Sequence, residues 1–152
     1  MPTLLVQSCS KSKGQPENPV PALELYSGYY FKIIKKAKRE NDFDSTIDLC
    51  ILSAKHGLLD PDVKLTPYDK KMNANRAQEL HDDVKQDLKR RIRTGDYEEV
   101  IVNMGWHYRT TIQGLDDEVE VPIRFIDGKL GERGRKLKQE IRQNTTPSFG
   151  AD

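Results

Sequence analysis

A lysine and a histidine stand side by side in Ser53-Ala54-Lys55-His56-Gly57, directly after the apolar run Leu49-Cys50-Ile51-Leu52. An ammonium and an imidazole at neighbouring positions can grip an anion or stabilise developing negative charge. A deprotonated lysine can also attack carbon. The apolar run does not alternate, so it reads as a strand buried on both faces. The pair then lies just past the strand's C-terminal end, the edge where parallel α/β sheets bind ligands. Three more turns carry similar groups. Ser8-Cys9-Ser10-Lys11-Ser12-Lys13 closes a first apolar stretch, Asn103-Met104-Gly105-Trp106-His107 a third, and Asp127-Gly128 with Gly131 a fourth.

The elements that must position these turns can be read from periodicity. Thr3 to Gln7 is a strand, and Gln15 to Pro21 is a proline-bearing loop. A helix is expected from near Pro21, with Ala22, Tyr26, Tyr29, Tyr30, Ile33 and Ala37 on one apolar face. Gly28 within it points to a close approach of another backbone or a ligand. A strand over Ile47 to Leu52 is followed by the long loop Asp60 to Met72. A second helix starts at Asn73 or Asn75, buries Ala77, Leu80, Val84, Leu88 and Ile92, and ends at Gly95. Next come a strand over Glu99 to Val102, a short helix over Tyr108 to Gln113 and a strand within Val119 to Ile126. A last helix from Glu132 to Gln143 turns Leu137 and Ile141 inward.

This βαβαβαβα order predicts a single α/β domain over 1–143, followed by a flexible tail over 144–152. The expected architecture is a three-layer α/β/α sandwich. Its four-stranded, mainly parallel sheet has the order 2-1-3-4. Strand ends and helix N-termini then meet on one rim, and the free N–H groups of the helix starts favour anions.

Composition narrows the function classes. Of the 152 residues 32% are charged and 36% hydrophobic, and 25 Lys and Arg balance 24 Asp and Glu. Overall charge gives no pull toward nucleic acid, so any basic surface is local. The runs Lys89 to Arg93 and Arg133 to Lys138 read either as solvated helix faces or as such patches. No apolar run approaches the ~20 residues of a membrane span. Met1-Pro2-Thr3 does not lead into a signal peptide, and two cysteines make no disulfide framework. The expectation is a cytoplasmic protein without a membrane partner. No CxxC or HxxxH spacing supports a metal, and GxxxxGK[ST], GxGxxG and GxSxG are all missing. No cofactor is expected.

The candidate catalytic residues are Lys55, His56 and Asp127, the last as the rim carboxylate, with Asp60 and Asp69 behind it. The candidate ligand-binding residues are Ser8, Cys9, Ser10, Lys11, Lys13, Tyr26, Ser53, Gly57, Tyr68, Asn103, Trp106 and His107. Tyr26, Tyr68 and Trp106 offer faces on which a base can stack. Plainer readings stand beside these. Lys11 and Lys13 could be solvated loop lysines, Cys9 a small buried thiol instead of a nucleophile, and His107 a satisfied residue at a helix start.

The strand ending in Ser8-Cys9-Ser10-Lys11-Ser12-Lys13, the segment Ala22 to Phe31, Ile51-Leu52-Ser53-Ala54-Lys55-His56-Gly57-Leu58-Leu59 and Pro67-Tyr68-Asp69 together resemble a family of small, mostly prokaryotic and phage-borne domains of uncharacterised function. Gly128 to Leu137 matches that family's last segment more loosely. The family is in turn distantly similar to the YaaA peroxide-stress proteins and to a domain of archaeosine synthase. These share the fold of the uracil-DNA glycosylase superfamily. The resemblance implies a parallel α/β sandwich with its site at the strand ends, and a nucleic acid or nucleobase derivative as ligand. The water-activating motif of the known glycosylases has no counterpart here.

Three functions follow as expectations. One is a glycosylase-like enzyme that acts on an N-glycosidic bond or a modified nucleobase. The second is a module that binds a nucleotide or nucleic acid without chemistry. The third is a sugar- or nucleotide-processing transferase at the same edge.

Overall fold

The computed structural model describes residues 2–10 and 13–143, so Lys11 and the segment expected to form a flexible tail lie outside the described residues. Strand β1 (Thr3–Ser8) pairs in parallel with β3 (Ile47–Ser53) on one side and with β6 (Glu99–Asn103) on the other. Strand β7 (Ile123–Phe125) adds in parallel beyond β6. These four strands follow the expected order. The sheet nevertheless has five strands, β4-β3-β1-β6-β7, because β4 (Gly57–Leu59) folds back antiparallel on β3. The Lys-His turn is thus the loop of a hairpin at the sheet edge. A separate two-stranded piece joins β2 (Val20–Pro21) to β5 (Lys64–Leu65), which gives the long Asp60 to Met72 loop a fixed middle.

Alternation along the strands builds two cores. Leu4, Val6, Cys50, Leu52, Val100 and Val102 face helix α3 (Ala74–Gly95). Leu5, Ile51 and Ile101 face helices α2 (Tyr29–Arg39) and α5 (Leu130–Ile141). Burial on both faces is why the strand runs are apolar throughout. Helix α3 begins at Asn73, whose side chain accepts the Arg76 N–H. It buries the five residues of the expected stripe. Its left-handed closing residue is Asp96.

Three elements differ from expectation. The first helix is broken into α1 (Ala22–Leu25) and α2, with Tyr26 extended and Gly28 capping the second piece. A Cβ at Gly28 would come within 2.5 Å of the Ser10 Cβ, so close approach of the Ser10 side chain explains the glycine, and it does so at a helix start. The break rotates the apolar face, so Phe31, Ile34 and Ala37 are buried while Tyr29 is exposed. The short helix is α4 (Trp106–Arg109), continued by 3-10 turns at Thr110–Ile112 and Leu115–Asp117. Within Val119 to Ile126 only Ile123–Phe125 is strand. Val119 and Val121 pack on the α3-side core from outside the sheet.

Candidate functional site

The Ser53–Gly57 stretch is built to present two side chains. Ser53, at the end of β3, is fully buried, and its Oγ accepts the N–H groups of Lys55 and His56, each at 3.1 Å. Ala54 is buried in the α3-side core. Arg76, in the first turn of α3, donates from Nε to the Ala54 carbonyl at 2.7 Å and from Nη2 to the Lys55 carbonyl at 2.9 Å. Gly57 has φ +75°, a conformation side chains resist, and it turns the chain into β4. The backbone between Ser53 and Gly57 is therefore pinned from below and behind, while Lys55 and His56 stay exposed.

Tyr68 is the centre on which the rim converges. Its hydroxyl lies 2.7 Å from Ser53 Oγ and is also hydrogen-bonded to the Tyr26 hydroxyl. The His56 ring meets it edge-on at 5.2 Å. The Lys13 and Lys55 ammonium groups lie 4.5 and 5.5 Å from its ring centroid, within cation–π range. Tyr26 is fully buried and pairs by backbone with Lys13. Burial pushes the Tyr68 and Tyr26 phenols above their usual range, so both stay protonated at neutral pH. Partial desolvation of the ring where it meets Tyr68, and then the neighbouring Lys55 charge, hold the His56 imidazole below its usual value, although the side chain keeps an exposed edge.

A second polar row continues across the same face. The parallel register sets Gln7 opposite Asn103, and both are buried. Asn103 donates to Gln7 Oε1 at 2.8 Å. Its own oxygen accepts from Arg133 Nε and Nη2 at 3.0 and 2.7 Å. The Arg133 guanidinium also lies 4.9 Å from the Tyr30 ring. Cys9 Sγ is 3.0 Å from the Tyr108 hydroxyl, and Ser10 Oγ accepts the Gly28 N–H at 3.2 Å. Ser8 Oγ reaches the Asn103 carbonyl at 3.5 Å.

The structure thus gathers Lys13, Tyr26, Ser53, Lys55, His56 and Tyr68 into one cluster. Ser8, Cys9, Ser10 and Asn103 flank it. It sets the other candidates apart. Asp127 is exposed and paired with Arg109, and its carbonyl accepts from Lys136 at 2.8 Å. Asp60 is paired with Arg91 at 2.7 Å. Trp106 and His107 are exposed on α4. Sequence reasoning missed Gln7, Arg76, Tyr108 and Arg133. Arg133 had a signal, since it stands four and eight residues before the inward Leu137 and Ile141 and so shares their helix face.

No group of three or more His, Cys, Asp or Glu that could hold a metal ion occurs among the described residues, and none of their helices is long and apolar enough to cross a membrane. Residues 4–139 match the family described as "Family of unknown function (DUF6884)". No curated protein matches the chain. Among solved structures, the crystal structure of AF0587, a protein of unknown function, is similar with a TM-score of 0.54 and 18% identity. That similarity covers 91% of this chain and 44% of that one, so the chain spans less than half of its structural relative, and it concerns the fold alone.

Proposed function

The chain belongs to DUF6884, a family of unknown function, and we propose that it is a nucleobase-processing enzyme that holds a nucleotide unit at the Tyr68 rim and acts on its N-glycosidic bond or on a modified base. The supporting observation is the convergence of Lys13, Lys55 and His56 on one tyrosine, above the buried Tyr26–Tyr68–Ser53 hydroxyl chain. The cations suit the phosphates that flank a base. The departing base develops negative charge, which Lys55 or His56 stabilises. The nucleic-acid or nucleobase ligand implied by the sequence's distant resemblance to the uracil-DNA glycosylase superfamily is in line with this reading.

The sugar's developing positive charge can be met in two ways. Asp127 is held by Arg109, away from the Tyr68 cluster, which disfavours it as the group that positions a water. In the lysine route, Lys55 first passes a proton to the neighbouring neutral His56, and its freed Nζ forms a bond to the sugar carbon as the base–sugar bond breaks. The base leaves with the electron pair and takes that proton from His56, and the positive charge stays on the new secondary amine of Lys55. The Asp127–Arg109 pairing also favours a second reading, a module that binds without chemistry.

Oligonucleotides with normal, damaged and modified bases, incubated with the protein and then treated with alkali, separate these readings. Strand breaks that disappear in Lys55→Ala and His56→Ala are the expected result. Tight binding with no base release across the panel gives the binding module. If neither substitution changes binding or release, the rim reading fails.

A further inference from the structure

The one tryptophan of the chain, Trp106, is 82% exposed, more than any other large apolar side chain among the described residues. Such exposure is costly for so large an apolar surface unless something covers it in use. Trp106 does not stand on a flat surface. It lines a cavity of about 340 Å³ with Arg109, Ile112, Gln113, Leu115 and Phe125. Ile112 and Leu115, both buried, form part of its wall and belong to the core on the α3 side of the sheet. The Tyr68 cluster packs against the opposite core, so this cavity is a separate place.

Its walls are suited to a flat ring. The Arg109 guanidinium is stacked 4.6 Å from the Phe125 ring centroid, and its pairing with Asp127 holds it there. A planar cation lying on an aromatic ring continues the aromatic surface and attracts electron-rich faces. The Trp106 indole, the best such face among side chains, makes no ring contact among the described residues. Thr110, Gln113 and Asp116 add a hydroxyl, an amide and a carboxylate to the same walls, able to meet ring-edge donors and acceptors. The volume lies at the small end of ligand cavities, room for one ring system and little more.

We infer that this cavity is a stacking site for a single planar heteroaromatic ring of the nucleoside class, held against Trp106 and the Arg109–Phe125 pair. The site does not depend on glycosidic chemistry at the Tyr68 rim.

Because Trp106 is the sole tryptophan, its fluorescence reports the site directly. The experiment titrates adenosine, guanosine, cytidine and uridine into the full chain, and into Phe125→Ala and Lys55→Ala. Saturable quenching by at least one nucleoside is expected. It should weaken about five- to a hundred-fold in Phe125→Ala, the range that loss of one base–aromatic stack produces, and stay unchanged in Lys55→Ala. Equilibrium dialysis with Trp106→Ala should show the same loss without relying on the reporter. Two results overturn the inference. One is quenching that stays linear and equal to that of free N-acetyltryptophanamide. The other is a Trp106 that becomes shielded from acrylamide as protein concentration rises, which makes the surface a contact between copies. Loss of base release in Lys55→Ala with quenching intact separates this site from the rim.

Discussion

The Tyr68 hydroxyl and Ser53 Oγ meet at 2.7 Å, and through that contact the long Asp60 to Met72 loop is tied to the end of a central strand. Ser53 serves three groups at once, the phenol and the N–H groups of Lys55 and His56. Its removal strips the part-buried Lys55 and His56 N–H groups of their acceptor and leaves the Tyr68 hydroxyl with Tyr26, the costly kind of loss for the two N–H groups. Ser53→Ala is expected to lower stability by about 1–3 kcal/mol, read from denaturant unfolding. The loop around Tyr68 should gain hydrogen exchange in the same variant while α3 stays protected. An unchanged midpoint with unchanged exchange would show that Ser53 is not the hub.

Gly28 and Ser10 make a second test of close approach. A Cβ at Gly28 would sit 2.5 Å from the Ser10 Cβ and 3.1 Å from its Oγ. Neither backbone can give way easily, since Ser10 follows β1 and Gly28 caps α2. Gly28→Ala is expected to cost about 1–3 kcal/mol, as overpacking does. Ser10→Gly removes the obstructing atom, so the double variant should be markedly more stable than the sum of the two losses predicts. Additive losses in thermal or urea unfolding would count against the contact.

Much of this architecture was legible because four apolar runs sit between helical patterns, which dictates parallel strands buried on both faces. The hairpin partner β4 was not, since Gly57-Leu58-Leu59 is three residues with no alternation to betray a strand. The break between α1 and α2 was hidden because Ala22, Tyr26, Tyr29 and Ile33 keep helical spacing straight across it. Only the contact with Ser10, eighteen residues away, shows why Gly28 must start a new helix. In the site, Lys55 and His56 announced themselves by type. Arg133 did not, because a charged run looks solvated until the packing turns one member inward. Asp127 was grouped with the lysines because it too ends a strand. Parallel strands align their ends along a rim, but they do not make distant ends neighbours.

His56 gives a pH dependence with a definite sign. Burial and the nearby Lys55 charge disfavour its protonated form in the folded state, so its folded pKa lies below its unfolded value. The unfolded chain therefore binds more protons in the window between the two values. The stability contributed by neutral His56 is present above about pH 6.5 and is lost as pH falls through the folded pKa. Urea midpoints measured from about pH 8 to about pH 5 should fall on acidification. His56→Gln should flatten part of that fall. An identical slope in the variant would assign the dependence to other groups.

Arg133 and Asn103 close the rim on the side away from Lys55. Asn103 is fully buried in the sheet, with its donor on Gln7 and its acceptor on both Nε and Nη2 of Arg133. The guanidinium also covers the Tyr30 ring, whose own hydroxyl is buried without a hydrogen-bond partner among the described residues. Arg133→Met keeps much of the stem's packing but strips the buried Asn103 oxygen of both donors. A loss of about 1–3 kcal/mol is expected, the cost of one orphaned buried acceptor. Arg133→Lys restores charge but not the two-pronged fork, so it should recover only part of that loss. A second change decides the cause. In an Asn103→Leu background the acceptor is gone, and Arg133→Met should then cost far less than in the native chain. If it costs the same, Arg133 acts through Tyr30 and not through Asn103.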